Sequence, residues 1–180
     1  LNLIEFSNKK TTIMGVVNIT HDSFFSGNKF LNDLDDIPND IFNYSDIIDI
    51  GAESTKPFSN PVNSSEEIER ISKFNIKKFK KNIFSIDSYK YEVIKYALEN
   101  GYNMINDITA GGLNNENLEL AKDFNVPIVL MHMQGNPKSM QLNPRYDDLI
   151  SDLMLFFDNK INCCINLGIP LKNIILDPGI

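Results

Sequence analysis

Long apolar runs are missing from this sequence. The longest are short segments such as Val126 to Met131, well below the roughly 20 residues a membrane-spanning helix needs. The opening LNLIEFSNKK has no basic region followed by an apolar stretch, so no secretory leader is expected there. A positive field is missing too: 17 basic residues stand against 24 acidic ones, a formal net charge of -7. That argues against nucleic acid or an anionic membrane face as partner, and any anionic ligand must be met by local donors. The only cysteines, Cys163 and Cys164, are adjacent on an expected helix and cannot staple the fold. A reducing cytoplasm is the expected location. With His21 and His132 as the only histidines, a multi-histidine zinc site is excluded. No GxGxxG follows the first expected strand and no GxxxxGK[ST] occurs anywhere, which removes the best support for a nucleotide-binding open sheet. Arginine is scarce, 2 against 15 Lys, while Asn and Ile number 24 each. An isolated Asn or Lys therefore carries little weight.

What is present fits one domain over residues 1–180. The chain is 42% hydrophobic and 23% charged, and a chain of this size can bury roughly 70% of its unfolded surface. Short β-branched segments recur at Thr11 to Val17, Asp46 to Ile50, Asn82 to Ile86, Asn103 to Ile108, Val126 to Met131 and Asn173 to Leu176. Such uninterrupted runs suit strands buried on both faces. Helical spacing lies between them. A Ser64/Glu67 capping box precedes Ile68, Ile71, Phe74 and Phe79, and Tyr89, Val93, Tyr96 and Ala97 form the next stripe, stopped by Gly101. The longest helix is expected from about Tyr146 to Leu167, with Leu149, Ile150, Leu153, Phe157, Ile161 and Ile165 inward and Gly168 and Pro170 as terminators. After the first strand, Pro38 and a crowd of Asp and Asn predict a short or broken helix.

Strands alternating with helices imply a parallel sheet with right-handed crossovers. Polar groups gather at the expected carboxyl ends: Asn18, Glu53-Ser54-Thr55-Lys56, Asp87, Asn106-Asp107, His132 and Asp177. Any one of these alone is an ordinary loop residue, and His132 alone reads as a packed histidine. Six in succession mark the edge where both barrels and open α/β sheets bind ligands. The fold class expected is α/β, a TIM-type (β/α)8 barrel of which about the first six βα units are present.

At this point the motifs resemble a family. IMGVVNITHDSF, DIIDIGAESTKP, FSIDSYKYEVIKYAL, NMINDITAGG, VLMHMQGNPKSMQ and IILDPGI are similar, in order and spacing, to the successive motifs of the bacterial dihydropteroate synthases. The resemblance implies a cytoplasmic transferase of folate biosynthesis and a sulfonamide target. That family condenses 6-hydroxymethyl-7,8-dihydropterin pyrophosphate with p-aminobenzoate, giving 7,8-dihydropteroate and pyrophosphate. By resemblance, Asp87 and Asp177 are the carboxylates on the pterin edge and the catalytic pair, with Asn106 an amide partner on the same ring. Met131 packs on the pterin face, Thr55 and Lys56 contact substrate from the second loop, and Phe24 lies in the first loop over the aminobenzoate. Asn18 is the expected Mg²⁺ ligand, the metal also holding pyrophosphate. The implied partners are these small molecules, and a homodimer is left open.

Departures are also visible. His21 stands where the family usually has Pro, Ser26 and Asn28 replace an Asp and a Gly of the first loop, and Lys56 replaces an Arg, keeping charge without the planar fork. The sequence stops at Asp177-Pro178-Gly179-Ile180, before the seventh and eighth strands that in the family carry a Lys on the pterin and an Arg and His on pyrophosphate. The alternative reading is a non-catalytic barrel remnant that binds pterin or a partner chain. A pterin-handling methyltransferase domain is a weaker third, since it lacks the MHMQGNP stretch.

Overall fold

The β-branched runs do form strands, because each has apolar side chains for two faces and a parallel sheet covered by helices buries both. The structure is a computed structural model and describes residues 11–19, 39–53, 62–74, 76, 79, 81–135 and 145–179. Its strands are β1 (Met14–Asn18), β2 (Ile47–Gly51), β3 (Ile83–Asp87), β4 (Met104–Asp107), β5 (Ile128–Met131) and β6 (Ile174–Asp177). The helices are α1 (Asn39–Tyr44), α2 (Ser64–Ser72), α3 (Tyr91–Glu99), α4 (Glu116–Asp123) and α5 (Leu149–Leu167). The six expected strands are all present. In the first crossover the described helix, α1, has 6 residues, and Pro38 with the segment before it lies outside the described residues.

All neighbouring strands are parallel and lie in chain order, β1-β2-β3-β4-β5-β6. A doubly wound sheet reverses direction partway, whereas this one winds a single way, as a barrel wall does. Strand alternation then separates two cores. Ile48 and Ile50 of β2, Phe84 and Ile86 of β3, Ile105 of β4, and Ile128 and Leu130 of β5 face the helices, against Ile71, Val93, Ile94, Ala97, Leu118 and Cys164. Each such aliphatic side chain removed from water contributes about 1.5–3 kcal/mol. On the opposite, inner face, Ile47, Ile83, Met104 and Val129 pack with Met14 and Ile175. This apolar floor lies below the polar carboxyl ends.

Three local expectations are corrected. The cap of α2 is Asn63, whose Oδ1 accepts from Glu66 N at 2.8 Å; Glu67 is fully buried and turned to Lys90 instead of back to a Ser64 cap. Tyr89 precedes α3, whose buried stripe is Val93, Ile94, Ala97 and Leu98. On α5 the inward side carries Phe156, Cys163, Cys164 and Leu167, while Leu149, Ile150 and Ile165 are exposed along with Met154 and Leu155. Lys160 also turns inward on this helix, donating to the Ala110 carbonyl at 2.7 Å. Gly168 ends α5 in the left-handed conformation, as its sequence position implied. Among the described residues, no helix is long and apolar enough to cross a membrane.

Candidate functional site

Parallel pairing brings the strand ends into one row. Asn18 is level with Gly51, Gly51 with Asp87, and Asp87 with Asn106. Residues level across a sheet share a face, so the side chains of Asn18, Asp87 and Asn106 project to the inner side above the apolar floor. Gly51 makes their approach feasible. A Cβ there would lie 3.1 Å from Asp87 Oδ2 and 3.2 Å from Asn18 Oδ1, so both oxygens border the space that glycine leaves open. Gly51 has no positive φ; space, not backbone conformation, is what the position requires.

Asn106 is braced from below. Its Nδ2 donates to Asp49 Oδ2 at 2.8 Å, and Asp49 is 2% exposed in the middle of β2. Asp107, next in sequence, points the other way. Its Oδ1 accepts from Thr109 N and Oγ1, and its Oδ2 from Gly111 N and Asn117 Nδ2, all at 2.6–2.9 Å. Asp107 therefore shapes the turn after β4 and leaves Asn106 alone to face the site.

A second group forms at the β5–β6 side. Met131 is level with Asp177, and Asp177 Oδ1 accepts from Gly179 N at 2.8 Å. Gly179 has φ +69°, and a Cβ there would collide with the His132 carbonyl oxygen. The glycine of LDPG thus allows the chain after β6 to turn tightly against the end of β5. His132 is a packed histidine, buried with its ring edge-on to Phe156 at 4.9 Å between centroids. Between the two groups, Val129 and Ile175 stand level with Asn106 and separate it from the Met131–Asp177 layer along the strands.

The electrostatics are negative. Asp87 is pushed up to about 7, first by burial and then by the charges of Asp49, Glu67, Asp107 and Glu53. Burial likewise raises Asp49, with the Ser85 hydroxyl and the Asn106 amide partly opposing it. Lys90, a cation built into this edge, is already engaged by carboxylates: its Nζ lies 2.5 Å from Glu53 Oε2, 2.7 Å from Glu67 Oε2 and 2.6 Å from the Val62 carbonyl. Glu53 Oε1 also accepts from Val62 N. Residues 53 and 62, on either side of the β2–α2 loop, are thereby held together. Gln134 does the same after β5, donating to the Arg145 carbonyl at 2.7 Å and accepting from Arg145 N.

The expectations for Phe24, Thr55 and Lys56, and the departures at His21, Ser26 and Asn28, fall outside the described residues. Among the described residues, no three His, Cys, Asp or Glu side chains gather as a metal cage. Asn18 Oδ1 beside Asp87 supplies hard oxygen atoms for a cation that takes most of its ligands from water and phosphate, the habit of Mg²⁺. Sequence reasoning missed Asp49, and it missed the Lys90–Glu53–Glu67 cluster. An aspartate flanked by isoleucines in DIIDIG was the available signal for the first; the second joins residues far apart in sequence and left none.

A singly wound βα sheet of this kind, whose carboxyl edge gathers carboxylates and amides over an apolar floor, defines a βα-barrel protein, and that edge is where such barrels bind their ligands. The chain belongs to the pterin binding enzyme family, whose sequence pattern matches residues 14–180. It is 39% identical over 179 residues to a dihydropteroate synthase of Clostridium beijerinckii, a match that takes in 96% of this chain and 63% of that protein. It also superposes on the Yersinia pestis dihydropteroate synthase, solved with a sulfonamide drug complex, with a TM-score of 0.80 and 36% identity over 93% of this chain and 62% of that one. The Burkholderia cenocepacia enzyme complexed with 7,8-dihydropteroate matches with a TM-score of 0.75 and 27% identity, over 96% of this chain and 59% of that one. The chain thus spans less than two thirds of the length of each of these proteins.

Proposed function

We propose that this chain is a pterin-binding domain of a dihydropteroate synthase, joining 6-hydroxymethyl-7,8-dihydropterin pyrophosphate to p-aminobenzoate with release of pyrophosphate. The observation that carries the reading is the row Asn18, Gly51, Asp87, Asn106, which sets an amide oxygen, an opening, a carboxylate and a second amide side by side on the inner face. A pterin has an amino-pyrimidinone edge rich in N–H donors, and carboxylates that accept them orient the ring with charge-assisted bonds. Asp87 and Asp177 take this role, with Asn106 beside Asp87 and Met131 as the apolar contact with the ring. Thr55, Lys56 and Phe24 belong to the same proposal as contacts from the first two loops.

Substitution at the pterin methylene breaks its bond to the pyrophosphate oxygen, and positive charge builds on the pterin as that bond weakens. Burial first, and then the neighbouring negative charges, make Asp87 hard to ionise, and those charges also stabilise the developing cation. Asp49, Glu53, Glu67 and Asp107 all raise Asp87's pKa, so a cation formed at the row is attracted to it. Such fixed charges aimed at a developing ion stabilise a transition state without reorganising. The amine of p-aminobenzoate then bonds to the methylene carbon and gives up a proton, while pyrophosphate departs with the bonding electrons. Mg²⁺, held through Asn18 and the substrate phosphates, would offset the charge of the leaving group.

Calorimetric titration of 6-hydroxymethylpterin tests the reading. Saturable one-to-one binding is expected in wild type, with Asp87→Asn weakened by about 1–3 kcal/mol, the scale of a hydrogen bond to a charged group. No binding by wild type, or equal affinity in the two, removes Asp87 from a pterin site.

A further inference from the structure

We infer that Asp49 is a positioning residue that fixes the direction of the Asn106 carboxamide, so that the site offers Asn106 Oδ1 to the ligand and selects a donor there. The inference rests on the pterin reading and specifies how that site tells one heterocycle from another. An asparagine side chain can in principle present either end, since its amide flips by half a turn at little intrinsic cost. Here Nδ2 donates to Asp49 Oδ2 at 2.8 Å. The flipped amide would set Oδ1 against a carboxylate oxygen, two acceptors in contact without a hydrogen between them.

Nothing described around Asp49 relaxes that demand. It is 2% exposed, so water is not at hand to bridge a flipped amide. Its other oxygen, Oδ1, has no hydrogen-bond partner among the described residues. The Ser85 hydroxyl, level with Asp49 on β3, and the Asn106 amide both favour the ionised carboxyl, and in that form Oδ2 can only accept. Asn106 is level with Asp87 on the inner face. The ligand thus meets a carboxylate and an amide oxygen side by side, a pair of acceptors that matches adjacent N–H groups and repels a carbonyl in the same place.

The discriminating pair is 6-hydroxymethylpterin and 6-hydroxymethyllumazine, which differ in having an amino group or a carbonyl at the 2-position. Both are titrated calorimetrically into wild type, Asp49→Asn, and the exchanged double variant Asp49→Asn/Asn106→Asp, with circular dichroism to establish folding. Wild type is expected to prefer the pterin by about tenfold or more, the scale of one charge-assisted hydrogen bond. In Asp49→Asn the facing amides can pair in either direction, and the preference should fall to within about threefold. In the double variant the amide on β2 donates to the carboxylate on β4, an acceptor faces the ligand again, and the preference should return. A residue that merely supports the fold would lower both affinities together and leave their ratio alone. Failure of wild type to bind the pterin overturns the pterin reading and this inference with it. A wild type that binds and discriminates, with an unchanged ratio in Asp49→Asn, overturns only the role of Asp49. Should Asp49→Asn not fold, the side-chain amide resonances of Asn106 in ¹⁵N-labelled wild type decide: one Nδ2 proton slow to exchange with water supports the locked amide, and rapid exchange of both refutes it.

Discussion

Replacing Gly51 by alanine separates the fold from the site. The new methyl would lie 3.1 Å from Asp87 Oδ2 and 3.2 Å from Asn18 Oδ1, a few tenths of an ångström inside ordinary carbon–oxygen contact, so both side chains must retreat slightly. Each is the far end of a side chain on an open face, and the fold loses little by their movement. The backbone at Gly51 has no positive φ, and Gly→Ala at a compatible position typically stabilises by about 0.4–1 kcal/mol through the unfolded chain. The expected result is a melting temperature unchanged or slightly raised. The site should suffer, because a charge-assisted hydrogen bond displaced from its line forfeits about 1–3 kcal/mol, or about fivefold to 150-fold in pterin affinity. Differential scanning calorimetry and isothermal titration with 6-hydroxymethylpterin measure the two quantities on one preparation. Full pterin affinity in a well-folded Gly51→Ala would refute the convergence of Asn18 and Asp87 on a ligand, and an unfolded variant would mean that the glycine serves the strand and not the site.

Asp87→Asn should stabilise the unliganded protein in an EDTA buffer at pH 8 and leave it unchanged near pH 4. The folded-state pKa of about 7 lies above the ordinary 3.8, so the native state holds the proton more tightly and stability falls as pH rises through that window. At about 1.4 kcal/mol per unit the ceiling is about 4 kcal/mol, and partial exposure should reduce the measured gain to about 1–3 kcal/mol; urea melts showing no pH-dependent difference would contradict the burial of this carboxyl among like charges. Lys90→Met strands Glu67, which is fully buried, and Glu53. A loss of about 3–5 kcal/mol is expected at pH 7, easing in acid as Glu67, whose pKa burial raises, takes up a proton, and a loss that does not vary with pH in urea melts would argue against unpaired charge as its cause. Asn18→Ala should abolish the magnesium dependence of pyrophosphate binding while sparing 6-hydroxymethylpterin, and titrations of both ligands with and without the metal decide it.

The strands were legible because Ile47 to Ile50, Ile83 to Ile86 and Ile128 to Met131 are short β-branched runs with nothing else to become, and six of them divided by helical spacing leave few architectures. The inward side of α5 was not. Leu149, Ile150, Leu153, Met154, Leu155, Phe156, Phe157, Ile161 and Ile165 wrap the helix almost completely, so periodicity singles out no face, and the inward turn of Lys160 to the Ala110 carbonyl joins residues 50 apart in sequence. The cap of α2 failed for a similar reason. Asn63, Ser64 and Ser65 are all competent caps, and the Glu67 that favoured Ser64 is held by Lys90, an element away. Strand-end position and motif resemblance pointed to Asn18, Asp87 and Asn106, which the parallel register sets in one row. Asp49 escaped because it lies mid-strand, where its neighbours Ile48 and Ile50 serve the helix-side core, and its purpose is visible only when β4 sets Asn106 against it.

The unbroken strand order also bears on how the molecule comes into being. Every ladder joins a strand to the one made just before it, Met14 to Ile47, Ile47 to Ile83, Ser85 to Met104, Ile105 to Ile128, Ile128 to Ile174. None of these pairings waits for a distant segment, so loop-closure entropy is met in small steps. A chain emerging from the ribosome can add one βα unit at a time, and Asn18, Gly51 and Asp87 are already neighbours when the third strand is laid down. The row is thus begun early and extended from one side by Asn106, and the Met131–Asp177 pair joins the same edge as β5 and β6 are translated.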